Sequence, residues 1–194
     1  MLSDQTKQNI EQVFHKSLRA TLIRAPEDIC VITAAVAPKV AGPKEVSHRE
    51  VGLRVVAQPS DSLLVITISS FVFRLLTLFR VATNPATGAY YTGGTSGQSL
   101  EEAFCEVANL CCGAFNRELS QHFPHLAMSI PYTLSGPCLE YLEELKPQYL
   151  SSSTITINDT VQLQATLCMC CSVPVDFVAS TAATEPSSGE LEMF

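Results

Sequence analysis

One stretch of the chain, residues 99–121, constrains the fold most, because it predicts a helix with apolar side chains around most of its circumference. Ser99 followed three residues later by Glu102 is the signature of a capping box, which places the start of the helix near Leu100. A helix that is apolar on so many sides packs widely against its surroundings. The residues assigned to this apolar surface are Ala103, Phe104, Val107, Ala108, Leu110, Cys111, Ala114 and Phe115.

A narrow polar strip interrupts this apolar surface. Glu106 and Asn109 are three residues apart and Gly113 follows one turn later, so helical geometry aligns all three on one face. A glycine inside a helix costs about 1 kcal/mol relative to alanine, and the simplest explanation is that something approaches the backbone closely there. The solvated face of a packed helix is the plainer interpretation of such a strip, and the pattern alone favours it.

Composition excludes several classes of function. With 194 residues and 46% hydrophobic content, the chain can form one domain or a compact pair of half-domains. The net charge of -7, without a dense Lys/Arg cluster, argues against nucleic acid or an anionic membrane as the main partner. The first residues carry no signal-peptide pattern, so we expect a cytoplasmic protein. The longest apolar stretch is broken by polar residues and predicts a strand followed by a helix rather than a membrane span.

The eight cysteines fall in apolar runs, which favours small buried thiols over disulfides. There is no Cys-x-x-Cys pair, and a strand would direct Cys168 and Cys171 to opposite faces, so we predict no metal site. The pair His122 and His125 is assigned to a loop after the helix end, because Pro124 disrupts the helix that would align the imidazoles. A regulator that acts through its thiols or a bound metal is a further alternative function.

The predicted elements form two similar sets. The first set is a helix at 5–24, a strand at 29–36, a hairpin of 51–58 with 62–68, and a helix at 71–81 capped by Ser70. The second is the helix at 100–121, an extended segment at 126–134, a loop or short helical insert at 138–150, and a hairpin of 153–158 with 161–171. The sets predict one α+β domain at 1–178 with internal pseudo-symmetry, an antiparallel or mixed sheet flanked by long helices. Residues 83–98 are assigned to a flexible loop between the halves, and 179–194 to a disordered tail.

Two blocks resemble the CheC/CheX/FliY family of chemotaxis phosphatases. The first is Glu106-Val-Ala-Asn109-Leu-Cys-Cys-Gly113, which has the Glu-x-x-Asn motif of that family and the glycine one turn later. The second is Ser129-Ile-Pro131-Tyr-Thr-Leu-Ser-Gly136, which is similar to the strand with proline and glycine that follows in the family. The resemblance covers roughly residues 8–177 and implies the CheC/CheX fold.

The resemblance also implies a function: hydrolysis of phospho-aspartate on a CheY-like receiver domain. Asn109 would hold the attacking water and Glu106 would pair with a lysine of the partner, while Glu102 and Gly113 would contact the partner. The magnesium would belong to the partner, and no intrinsic cofactor is implied. The first helix has Phe14 where a second amide would stand, so the chain is similar to the single-site CheX branch, for which a homodimer is expected.

Glu102 departs from the family pattern, which commonly has Asp or Ser at that position. Its spacing from Ser99 favours a capping role. The alternative function is a non-catalytic module that binds a response regulator or resembles a flagellar switch protein.

Overall fold

The computed structural model describes residues 2–35, 62–93 and 97–177, which form three α-helices, one 3-10 helix and seven strands. The helices are α1 (Asp4–Leu22), α2 (Pro85–Thr92) and α3 (Leu100–Ser120), and the 3-10 helix spans Gly136–Leu145. The strands are β1 (Cys30–Ala35), β2 (Ser62–Ser69), β3 (Phe73–Val81), β4 (Ala127–Met128), β5 (Tyr132–Ser135), β6 (Tyr149–Ile157) and β7 (Val161–Cys171).

All seven strands form one antiparallel sheet in the order β1-β6-β7-β3-β2-β4, with β5 also paired to β2. Exchange of the first set of strands (β1, β2, β3) with the second (β4 and β5, β6, β7) reproduces the same order in reverse. The pseudo-two-fold axis therefore lies between β3 and β7. This arrangement confirms the predicted α+β class and its internal pseudo-symmetry.

The core lies between one face of the sheet and the helices α1 and α3. Alternate side chains of the central strands point to this face, among them Ile66, Phe79 and Leu167, and they pack against Phe14 and Phe115 of the two helices. The 3-10 helix covers part of the opposite face. Its Leu142 packs there in a smaller cluster with Leu63, Val65, Leu78 and Cys168. The central strands are therefore buried on both faces.

The helix predicted at 71–81 is wrong, because residues 73–81 form β3. Burial on both faces gave this strand a nearly continuous apolar run, and such runs lack the alternation that marks a strand. Ser70 does accept from backbone amides, as a helix cap would, but those of Val72 and Phe73 in the tight turn between β2 and β3.

The flexible loop predicted at 83–98 is also wrong in part, because residues 85–92 within it form α2. Asn84 caps this helix by accepting from the Thr87 amide, Pro85 stands in its first turn, and Gly93 ends it in the left-handed region with φ 62°. Arg24 adds a tertiary contact by donating to the carbonyl oxygens of the last turn.

The other described elements agree with the predictions within a few residues, including α1, β1, α3, the helical insert and the β6-β7 hairpin. The extended segment at 126–134 is divided into β4 and β5. The predicted strand at 51–58 and the tail at 179–194 lie outside the described residues. Within the described ranges, none of the helices combines the length and the apolar character needed to cross a membrane.

Candidate functional site

The polar strip lies on the outer surface of α3, as its spacing predicted. Glu102, Glu106 and Asn109 are exposed, and Gly113 is partly buried on the same face. The opposite side of the helix is buried. Its buried residues include Phe104, Ala108, Cys111, Cys112, Phe115 and Leu119. The side chains of Glu106 and Asn109 are therefore presented to solvent by a helix that the core holds rigidly.

The first turn of α3 is fixed by a complete capping box. The Ser99 hydroxyl accepts from the Glu102 amide at 3.1 Å, and the Glu102 carboxylate accepts from the Ser99 amide at 3.0 Å. These bonds hold the pKa of Glu102 below its usual range, with the Ser99 backbone bond as the main cause. The capping role predicted for Glu102 is confirmed, and its contact with a partner stays a prediction.

Contacts farther along α3 fix its rotation about its own axis. Thr77 of β3 lies 3.0 Å from the Cys112 sulfur and donates to the Ile66 carbonyl at 2.9 Å. On the other flank, Lys16 of α1 forms an exposed ion pair with Glu118 at 3.1 Å. The buried contact on one side and the α1 packing on the other keep the strip pointing outward.

Gly113 lies in open space. A Cβ atom built there would have no heavy atom within 4 Å, apart from its chain neighbours and the backbone of its own helix. The backbone of Gly113 does not have a positive φ; among the described residues, the glycines with a positive φ are Gly93 and Gly97. Neither a contact within the described part of the chain nor its own conformation requires a glycine, which leaves its helix penalty of about 1 kcal/mol uncompensated there.

Leu110 corrects the predicted apolar surface of α3. It was assigned to the buried part of the circumference, yet it is 64% exposed, directly after Asn109. Its position lies at the border between the buried side and the strip, where a pattern of apolar residues alone does not separate burial from exposure. A large apolar side chain therefore accompanies the acid and the amide on the outer surface.

A bulge interrupts the edge of the sheet that lies next to α3. Met128 pairs with Ile68 and Tyr132 pairs with Val65, so the three residues 129–131 stand opposite only 66–67. Ser129 anchors the bulge to Thr67 through bonds of 2.8 Å and 3.0 Å. At the centre of the bulge, Ile130 is 82% exposed.

The bulge is level with the middle of α3. The Ile66 carbonyl accepts from Thr77, which also contacts Cys112. The edge segment lies one strand spacing beyond Ile66, about 4.8 Å. Cys112 is one turn after Asn109, so Ile130 lies at the sheet edge within about one helical turn of Asn109 along the helix axis. The second block of the sequence comparison therefore contributes this bulge to the surroundings of the site.

The cysteines do not form a second site of comparable definition. All eight are free thiols. Burial raises the pKa of Cys111 and of Cys168 to about 12, and it also raises the pKa of Cys112. Across residues 2–35, 62–93 and 97–177, no three His, Cys, Asp or Glu side chains come together as a metal site. Three cysteines, Cys111, Cys112 and Cys168, are buried in the core as predicted, whereas the other five are only partly buried.

α1 does not repeat the arrangement of α3. Glu11, at the position of the acid, accepts a hydrogen bond from the Ser151 hydroxyl at 2.7 Å. Phe14, at the position of the amide, is buried in the core. The pseudo-symmetric counterpart of the α3 strip is thus occupied by packing contacts.

Comparison with known proteins identifies the fold. No protein-family model matches the sequence, and no curated protein matches it. Solved structures do match. A CheX from Borrelia burgdorferi, solved in complex with CheY, BeF3 and Mg²⁺, has 10% identity and a TM-score of 0.50, with 84% of this chain and 96% of that chain covered. A CheC-like protein from Shewanella oneidensis has 9% identity and a TM-score of 0.49, with 85% and 97% covered.

At such low identity, the comparison with the Borrelia CheX establishes the fold and leaves the activity to be argued from the site. The chain has a CheC/CheX-like fold, which confirms the fold that the two sequence blocks implied.

Proposed function

We propose that this protein is a phosphatase that removes the phosphoryl group from a phospho-aspartate on a CheY-like response regulator of chemotaxis or two-component signalling. The observation that carries the proposal is the joint exposure of Glu106 and Asn109 on one face of α3. The CheC/CheX-like fold supports it, since the Borrelia CheX of that fold was solved with a CheY partner.

The chemistry asks for positioning more than for a nucleophile supplied by this chain. Water attacks the phosphorus in line, the bond to the aspartate oxygen breaks, and aspartate and inorganic phosphate are the products. An amide can accept from the water with its oxygen and donate with its nitrogen, so Asn109 can orient the water without competing with it. Magnesium on the partner would stabilise charge at the phosphoryl oxygens when bound.

Glu106 would act one turn from the amide. Its carboxylate can form a charge-assisted bond with a lysine of the receiver domain, which would fix the partner in register with Asn109. Both side chains stand on a helix whose first turn is capped and whose other side is buried, so they need little reorganisation when the partner binds.

The test compares Asn109→Ala with the wild type in a phosphate-release assay on phosphorylated receiver domains. We expect kcat to fall at least about 100-fold while binding of the receiver and the circular-dichroism spectrum are retained. Gln12→Ala, which changes an exposed amide on α1, is the matched control and should keep full activity. Equal turnover by Asn109→Ala and wild type would refute the catalytic role.

A regulator whose phosphate lifetime is unchanged by a protein that binds it would favour the non-catalytic module instead. We further propose that the protein works in the cytoplasm and that it forms a homodimer. Sedimentation analysis tests the dimer directly.

A further inference from the structure

We infer that the receiver domain is held by two apolar anchors on either side of Asn109, Leu110 on α3 and Ile130 on the edge bulge. This inference rests on the proposed function and adds what recognises the partner. Leu110 and Ile130 are 64% and 82% exposed, and they are provided by two different elements, α3 and the bulge at the sheet edge next to it.

The fold itself does not account for this exposure. Exposed apolar side chains are common singly, but here one directly follows the amide and the other lies on the sheet edge next to the same helix, and the next residue of the strip is a glycine with open space at its Cβ position. The site therefore offers an acidic side chain, an amide and apolar side chains. Apolar contacts around an interface exclude water from the polar contacts that they surround.

Charge favours a receiver domain as the occupant over a second copy of this chain. Glu102 and Glu106 make the start of the strip acidic, and the whole chain carries -7. Two copies joined through this strip would bring like charges together. A receiver pocket that holds a lysine and Mg²⁺ is complementary to it, and exclusion of water by Leu110 and Ile130 would strengthen the bonds made by Glu106 and Asn109.

The anchors should act on binding and leave the chemical step unchanged. An interaction of equal strength in the ground state and the transition state raises affinity without changing kcat. Leu110→Ala and Ile130→Ala should therefore each weaken binding of a receiver domain loaded with BeF3 and Mg²⁺ by about fivefold to tenfold, as expected for truncation of an apolar interface side chain. KM for the phosphorylated receiver should rise in parallel, and kcat should be retained.

Two matched controls carry the same substitutions away from the site. Leu145→Ala changes a leucine that is 49% exposed at the end of the 3-10 helix, and Ile29→Ala changes an isoleucine that is 68% exposed before β1 at the other edge of the sheet. Neither should alter Kd or KM. Thermal unfolding of all four variants verifies that they fold alike.

The results separate this inference from the proposed function. If wild type dephosphorylates the receiver and the Leu110 and Ile130 variants bind as tightly as the two controls, the anchors are refuted and the phosphatase stands. If wild type binds the loaded receiver without hydrolysing it and only the site variants bind less tightly, the anchors stand and the phosphatase falls. If wild type does not bind receiver domains, or if these variants instead dissociate a dimer in sedimentation experiments, the inference is overturned.

Discussion

Gly113→Ala separates the stability of α3 from its use as a contact surface. The residue is well inside a helix of 21 residues, its φ is not positive, and an added methyl group would meet no heavy atom within 4 Å. Alanine is favoured over glycine in a helix interior by about 1 kcal/mol. In a domain of this size, that gain corresponds to a rise in Tm of about 2–4 °C.

Binding should change in the opposite direction. If a receiver domain approaches the α3 backbone at Gly113, the added methyl group occupies the space that the partner needs. Overpacking of a close contact costs about 1–3 kcal/mol, which corresponds to a Kd increased roughly 5-fold to 150-fold. A single substitution would thus produce a more stable protein that binds its partner less well, a combination that simple loss of structure does not produce.

The assay pairs thermal unfolding with titration of the BeF3-loaded receiver domain. Gly88→Ala is the matched control, because Gly88 is also in a helix, also lacks a positive φ and also has open space at its Cβ position. It should stabilise the protein by a similar amount and leave Kd unchanged. A lower Tm for Gly113→Ala would show that the open space is not available. An unchanged Kd would show that the partner does not approach this part of the helix.

Three further predictions concern groups around the site and in the scaffold. Glu102→Gln should retain both bonds of the capping box but lose the negative charge in the first turn, so the Tm should fall only slightly. Any rise in KM, greatest at low salt, would then measure a direct electrostatic contact with the partner, and an unchanged KM would limit Glu102 to capping. Asp28 accepts from Tyr90 at 2.6 Å and from Asn158 at 2.7 Å, and these bonds hold its pKa well below the ordinary 3.8. The contribution of Asp28 to stability is therefore present above about pH 4 and lost as the pH falls further. Asp28→Asn should lower the denaturation midpoint relative to wild type at pH 7, and the two midpoints should lie closer together at pH 2.5. Equal differences between the midpoints at both pH values would contradict this. Burial that raises thiol pKa values predicts that Ellman's reagent reacts slowly with native protein and quickly after denaturation at Cys111, Cys112 and Cys168, and fast labelling of these three in the native state would disprove it.

The two long helices were predicted correctly because their burial is one-sided. α1 and α3 each have one broad apolar side, and the capping box of Ser99 and Glu102 marks the start of α3, so both helices could be identified locally. β3 was mistaken for a helix because its second face is covered by the 3-10 helix, a contact made by residues more than 50 positions away. Periodicity carries no information about a cover that comes from so distant a segment.

α2 was missed for a related reason. Its sequence, with Gly88 and two threonines, has low intrinsic helix propensity, and the helix depends on neighbours for its stability. Tyr91 is buried against Phe104 of α3, and Arg24 binds the carbonyl oxygens at the helix end. Local propensity underestimates a short helix when tertiary contacts supply its stability.

The candidate site divides along the same line. The exposure of Glu106 and Asn109 follows from helical spacing within one element, and a single sequence is sufficient to predict it. The position of Ile130 depends on the pairing of β4 and β5 with β2, where a one-residue difference in register creates the bulge. Register is set by contacts between distant segments, so the residues proposed for chemistry were accessible from the sequence, whereas those proposed to recognise the partner emerged only from the folded edge of the sheet.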